Sequence, residues 1–233
     1  MNTQRGPYCG IGGDGVGLLS KLDVKSLSPK GRAVLKSARQ LFERQGYDGS
    51  PVRQIAAHAG CTKATLYAIF GDKLGLFHSV VGTLAAKLPS PASVIAGSSW
   101  RVDIRFCAIA WRLARLELGR DFQAINRLLA LPMQQAEVDP FPIWREIFDP
   151  YRAAVVVAIA DAKKRGYMRV DCPELAASQF MCLVRGGLSR RPGKKELAPW
   201  IDSELKKHID STTAFFLAAH SVREGQWDHL LYP

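Results

Sequence analysis

Acidic side chains are scarce. Asp and Glu together number 21 against 32 Lys and Arg, a formal charge of +11 on 233 residues. That surplus points to a polyanionic partner, either nucleic acid or an anionic membrane surface. Cysteine is sparse too. Cys9, Cys61, Cys107, Cys172 and Cys182 make an odd count with no C-x-x-C pair. Neither a disulfide framework nor a zinc knuckle is expected from that pattern, and a reducing compartment fits it better. Long hydrophobic runs are absent. The longest, Ala153 to Ala160, lies between Arg152 and Asp161, well short of the roughly 20 residues of a spanning helix. The first thirty residues contain no apolar stretch of the secretory type. The expectation is a soluble cytoplasmic protein with no membrane partner.

Catalytic and metal signatures are lacking as well. His58, His78, His208, His220 and His229 form no H-E-x-x-H and no i, i+4 pair, so no metal site is expected. There is no G-x-S-x-G nucleophile elbow. Glu117 and Asp121 stand at helical spacing, which a solvated helix face explains. The one motif with a cofactor meaning is Gly10, Gly12 and Gly15, which spell G-x-G-x-x-G. A dinucleotide site needs an apolar strand before it, a helix after it and an acidic residue about 20 positions on. Asn2 to Cys9 are polar and hold Gly6 and Pro7, and no such acid follows. No cofactor and no enzymatic activity are expected. A nicotinamide-dependent enzyme using this segment is the competing reading from another class.

What is present is helix. Apolar residues make up 47% of the chain, enough for a sizeable core, and almost no strand pattern occurs. Residues 1–28 read as a glycine-rich flexible tail. Residues 29–88 hold four short helical segments. Pro89 and Pro91 mark a boundary, and 89–233 holds longer amphipathic segments broken at prolines and glycines. Residues 1–88 carry 12 basic and 5 acidic side chains, net +7, and the remainder carries 20 and 16, net +4. A nucleic acid would therefore meet the N-terminal part.

The informative stretch is Val34 to Val81. Val34, Leu35, Ala38, Leu41 and Phe42 recur at helical spacing until Gly46 stops the helix. Ser50 followed by Pro51 reads as a helix start, Ser as N-cap and Pro as first helical residue. Val52, Ile55, Ala56 and Ala59 line one face, and Gly60 ends the helix by supplying a positive φ. Thr62 caps a second helix that runs to Phe70. Two short helices joined by a tight glycine turn form a helix-turn-helix. The major groove of B-DNA, roughly 12 Å wide, admits one such helix, and its first turn, Thr62, Lys63, Ala64 and Thr65, lies nearest the bases. Lys63 can pair with a phosphate or guanine, the threonines can hydrogen-bond, and the methyls of Ala64 and Thr65 can touch thymine. Tyr67 faces outward, where its phenol can reach a phosphate. Lys73 is a second phosphate candidate. Arg5, Lys21 and Lys25 could form a minor-groove arm.

Leu41-Phe42, Gly46-Tyr47, Val52-Arg53-Gln54-Ile55-Ala56, Ala59-Gly60, Lys63-Ala64-Thr65-Leu66-Tyr67, Phe70, Lys73 and Leu76-Phe77 together resemble the DNA-binding domain of the tetracycline-repressor (TetR/AcrR) family, in register and without gaps. The resemblance implies an all-α protein. It would have an N-terminal three-helix helix-turn-helix DNA-binding domain and a larger helical C-terminal domain for ligand binding and dimerisation. It implies a ligand-responsive transcriptional regulator, most often a repressor released from its operator by an effector, with an activator of the same fold as the alternative. Carried over by position, its DNA contacts fall on Ser50, Arg53, Thr62, Lys63, Ala64, Thr65, Tyr67 and Lys73. The chain departs at Ile69, where the family has an aromatic or His, so that contact is dropped. Cys61 replaces a usual Val, and Gly75 replaces a better helix former, at a cost of up to about 1 kcal/mol in propensity.

In the C-terminal part, Asp171 as N-cap, Pro173 and Glu174 open a helix to about Leu188. Leu175, Gln179, Phe180, Leu183, Val184 and Gly187 lie on one side of it. A last helix runs from about Pro199 to His220, with Ile201, Leu205, Ile209, Thr212, Phe216 and Ala219 sharing a face. By the resemblance these two helices form the homodimer interface. Trp100, Phe106, Cys107, Trp111, Leu128, Met133, Trp144, Phe148, Tyr151 and Met181 are the candidate ligand-binding residues. Their aromatic richness suggests a bulky hydrophobic effector. Lys163-Lys164-Arg165, and Arg190-Arg191 with Lys194-Lys195, are expected at helix ends and loops.

Overall fold

Ser28 begins the first helix. Its side chain accepts a hydrogen bond from the Gly31 amide at 3.2 Å, and Pro29 follows at the position where a missing N–H costs nothing. This computed structural model describes residues 27–92, 100–130, 139–189 and 202–222. Among them lie nine helices: α1 (Pro29–Gln45), α2 (Val52–His58), α3 (Lys63–Phe70), α4 (Lys73–Ala85), α5 (Val102–Leu118), α6 (Arg120–Ala130), α7 (Pro140–Lys164), α8 (Pro173–Ser189) and α9 (Asp202–Ala219). The only extended pairing among the described residues is an isolated bridge between Met168 and Ser221. The all-α expectation holds, and 29–88 contains the four short helices that periodicity predicts. The glycine motif at Gly10, Gly12 and Gly15, the basic residues Arg5, Lys21 and Lys25, Met133, and the cluster at 190–195 lie outside the described residues.

The residues group into two compact units, and the grouping does not follow chain order. Among the described residues, one unit contains 27–88, 119–130 and 139–147, the other 89–92, 100–118, 148–189 and 202–222. In the first, α1 packs on α2, α3 and α4, and α6 packs on α1 and α4. Phe42, Tyr47 and Phe77 form its aromatic centre, with Phe77 edge-on to both other rings at 5.4 and 5.3 Å. Phe122 of α6 meets Trp144 of α7 at 5.7 Å within the same unit. Sequence spacing misses the break at Gly119. Glu117 ends up in α5 and Asp121 in α6, so they do not share a helix face.

In the second unit α5, α8 and α9 pack on one another. Phe106, Phe180 and Phe216, one from each, meet with centroids 4.9 to 5.5 Å apart and are fully buried or nearly so. Gly187 lets α9 approach α8. A Cβ there would stand 2.2 Å from the His208 ring, whose Nε2 lies 2.9 Å from the Val184 carbonyl. The predicted single face of α8 divides. Phe180 and Val184 are buried, whereas Leu175, Gln179 and Leu183 are exposed. Those residues span more of the helix circumference than one neighbour covers. The helix itself starts at Pro173, one residue later than an Asp171 cap requires.

Glu117 is the main departure from the sequence reading. Instead of a solvated face it is buried, at 9% exposure, and ion-paired with Arg185 of α8. The Arg185 guanidinium lies 3.9 Å over the Phe148 ring. Burial pushes the Glu117 carboxyl above its ordinary range, and Arg185 pulls it back only in part. The folded chain therefore binds this proton more tightly than the unfolded one, and the stability from Glu117 falls as pH rises above about 4.5. Glu117→Gln removes that slope from a pH series of urea unfolding. Arg185→Met leaves a buried carboxylate without its cation and costs about 2 kcal/mol, which pairing it with Glu117→Gln largely restores.

Two glycines give a second check. Gly60 has φ +65° with open space around it, so Gly60→Ala costs about 1 kcal/mol through the backbone alone. Gly187→Ala costs about 1 to 3 kcal/mol by overpacking against His208. Equal urea midpoints for wild type and both variants would contradict this account.

Candidate nucleic-acid interface

Two glycines shape the candidate interface. Gly46, φ 74°, ends α1 with its amide on the Phe42 carbonyl at 3.0 Å. Gly60, φ 65°, makes the tight turn between α2 and α3, and the Cys61 amide closes back on the Ala56 carbonyl at 3.0 Å. Both act where the sequence places them. Cys61 is half-buried in the turn. Thr62 is the N-cap of α3, its hydroxyl accepting the Thr65 amide at 3.1 Å. The two threonine hydroxyls are also 2.9 Å apart.

Helix α3 is anchored from beneath. Leu66 and Phe70 are buried, and α3 packs on α1, α2 and α4. That leaves Thr62, Lys63 and Ala64 exposed and Thr65 half-exposed. Tyr67 is 43% exposed, large for an aromatic ring, on the outer side one position past Leu66. Arg53 of α2 is also exposed. No acidic residue occupies the first turn of α1, α2, α3 or α4. The positive end of the α3 dipole and the Lys63 ammonium therefore act together toward an anion.

Lys73 is the first residue of α4, capped by Asp72, whose carboxylate accepts the Gly75 amide at 2.6 Å. Its ammonium lies 4.4 Å from the centroid of the Tyr47 ring. Spacing alone gave no sign of that contact. The glycine at 75 has a packing reason too, because a Cβ there would stand 2.3 Å from the Phe70 carbonyl oxygen.

Ser50 does not belong to this surface. It is fully buried, and its hydroxyl donates to the Gly46 carbonyl at 2.7 Å. The N-cap of α2 is Pro51, which has no side-chain hydrogen bond to give. The Ser-Pro signal marks the right junction. The hydroxyl bonds back toward the end of α1, which lies within reach at i−4.

The ligand candidates fall into different settings. Leu128 and Trp144 belong to the unit that contains α1–α4. In the other unit Phe106 and Met181 are core, and Tyr151 is buried with its hydroxyl donating to the Pro89 carbonyl. Burial raises the Tyr151 phenol to about 12 and the Cys107 thiol to about 11, so neither titrates near neutrality. Trp100 is exposed, while Cys107, Trp111 and Phe148 are half-exposed.

Residues 34–80 match the tetR family of bacterial regulatory proteins, and residues 106–222 match the C-terminal domain of AefR-like transcriptional repressors. The transcriptional repressor BepR of Brucella suis biovar 1 is 40% identical over 50 residues, which span 22% of this chain and 24% of BepR. A TetR transcriptional regulator from Agrobacterium tumefaciens has the same fold, with a TM-score of 0.65 at 22% identity over 88% of this chain and all of that one. The flavonoid-responsive regulator FrrA superposes with a TM-score of 0.61 at 25% identity, over 83% of this chain and 98% of its own. Regulators of this kind give no support to the nicotinamide-enzyme reading. No helix among the described residues is long and apolar enough to cross a membrane. The chain belongs to the tetR family of bacterial regulatory proteins, ligand-responsive transcriptional regulators that bind DNA through a helix-turn-helix and act as dimers.

Proposed function

We propose that this protein represses transcription by seating α3 in the major groove of an operator in the cytoplasm, and that a small hydrophobic effector releases it. The observation that carries the reading is the exposed first turn of α3, from Thr62 to Thr65, above the buried anchors Leu66 and Phe70. Lys63, Thr62, Ala64 and Thr65 meet base edges and phosphates there. Tyr67, Arg53 and Lys73 add phosphate contacts from the flanks.

The dimer forms through the outer faces of α8 and α9. Leu175 and Leu183 on α8, Phe215 on α9 and Val222 just beyond it remain exposed after the intrachain core is filled, Phe215 at 62%. Two heads joined in this way read half-sites about 34–36 Å apart. The effector acts in the unit built on α5, α8 and α9. Among the candidates there, Trp100, Cys107, Trp111 and Phe148 stand outside the sealed core. Aromatic lining suits a planar hydrophobic molecule, and FrrA, a flavonoid-responsive regulator, supports that class. Release follows if the effector binds the DNA-incompetent arrangement more tightly.

A duplex selected from a randomised pool by the full chain tests the contacts. Lys63→Ala weakens binding roughly tenfold and Tyr67→Phe about threefold, and the log–log salt dependence is steep. Ser50→Ala costs about 1 kcal/mol of stability while leaving the salt slope alone. Unchanged affinity in both Lys63→Ala and Tyr67→Phe, read by gel shift, would sink the contact set.

A further inference from the structure

Tyr47 cannot touch DNA, being 2% exposed. Its ring is held by two others, stacked with Phe42 at 5.9 Å and edge-on to Phe77 at 5.3 Å. The backbone beneath it is fixed by the turn at Gly46, φ 74°. Tyr47 is therefore a rigid platform. Over that platform, 4.4 Å from the ring centroid, sits the Lys73 ammonium, well inside the roughly 6 Å at which a ring quadrupole attracts a cation. The Lys73 backbone is equally fixed, as the first residue of a helix capped by Asp72.

A lysine stem is flexible, and an ammonium that wanders loses side-chain freedom each time it grips a phosphate. An ammonium already held loses less. From the geometry we infer that Tyr47 is a positioning residue for DNA binding: its ring face holds Lys73 where a backbone phosphate meets it. The inference rests on Lys73 as a phosphate ligand. A buried ring thereby sets part of the affinity for DNA through a side chain it does not share a helix with. The hydroxyl of Tyr47 is not needed for this, because the ring face supplies the attraction.

The test uses the full chain and the duplex it selects from a randomised pool. Lys73→Gln lowers affinity and reduces the log–log salt slope by about 1.8, the value for one phosphate lost from each of two half-sites. At position 47, Tyr47→Phe retains near-wild-type affinity. A phenylalanine with three ring fluorines at that position keeps the shape but cancels the quadrupole, and it binds about threefold more weakly than Tyr47→Phe. In the Lys73→Gln background the fluorines make no difference. A fluorinated ring that binds as tightly as phenylalanine, or more tightly, overturns the inference, and so does a fluorine effect that persists without Lys73. If Lys73→Gln itself changes neither affinity nor slope, the phosphate contact fails and this inference fails with it. A fluorine effect lost while Lys73→Gln still weakens binding removes only the role of Tyr47.

Discussion

The contact of Phe42, Tyr47 and Phe77 carries the reading head. Phe42 lies near the end of α1, Tyr47 in the turn after it and Phe77 in α4. Rings of this size each bury about 150–250 Å² and prefer offset-stacked or edge-on geometry, which fixes direction as well as distance. Once α1 and α4 are locked to one another, α3 has a defined seat, and Leu66 and Phe70 settle it there. The few polar side chains on the outer turn of α3 take their aim from that apolar contact. Base recognition tolerates little angular error, because donors and acceptors in the groove must meet within hydrogen-bond range.

The second unit solves a different problem. Its centre, Phe106, Phe180 and Phe216, joins α5, α8 and α9 by dispersion and burial. At its side, Arg185 ties Glu117 on α5 to Phe148 on α7 and is itself on α8. Three helices thus share one guanidinium. An ion pair of this kind adds little net stability against an apolar replacement, but it penalises any arrangement that separates the charges. Arg105 of α5 and Asp161 of α7, 3.4 Å apart, act in the same sense elsewhere in the unit.

What could be read from the sequence was local. Gly46, Gly60, the Thr62 cap and Lys73 at the start of α4 each depend on neighbours a few residues away, and the structure has them as spacing predicts. Glu117 could not be read, because its partner Arg185 is 68 residues on and nothing in the local pattern names it. The break at Gly119 hid behind continuous helical spacing. Ser50 looked like an N-cap because its residue type and its proline are right. The deciding fact, a Gly46 carbonyl brought within 2.7 Å, belongs to the turn as folded. The aromatic candidates had the same weakness, since composition shows richness in large side chains but not which compact unit each joins. Leu128 and Trp144 went with the head, and Phe106 went into the core.

The paired hydroxyls at the start of α3 have one more consequence. Thr62 and Thr65 lie 2.9 Å apart, and either oxygen can be the donor to the other. Each hydroxyl has a single proton, so when the two bond each other the pair spends one internally and keeps one for outside. Which threonine offers it is decided by rotating two O–H bonds, with no heavy atom moved. On the proposed seating of α3, a base-edge acceptor opposite Thr62 and one opposite Thr65 would be met by the same rigid turn in two proton arrangements. On the proposed dimer, two half-sites that are imperfect copies of one another at this step would be read by identical subunits without refolding either one.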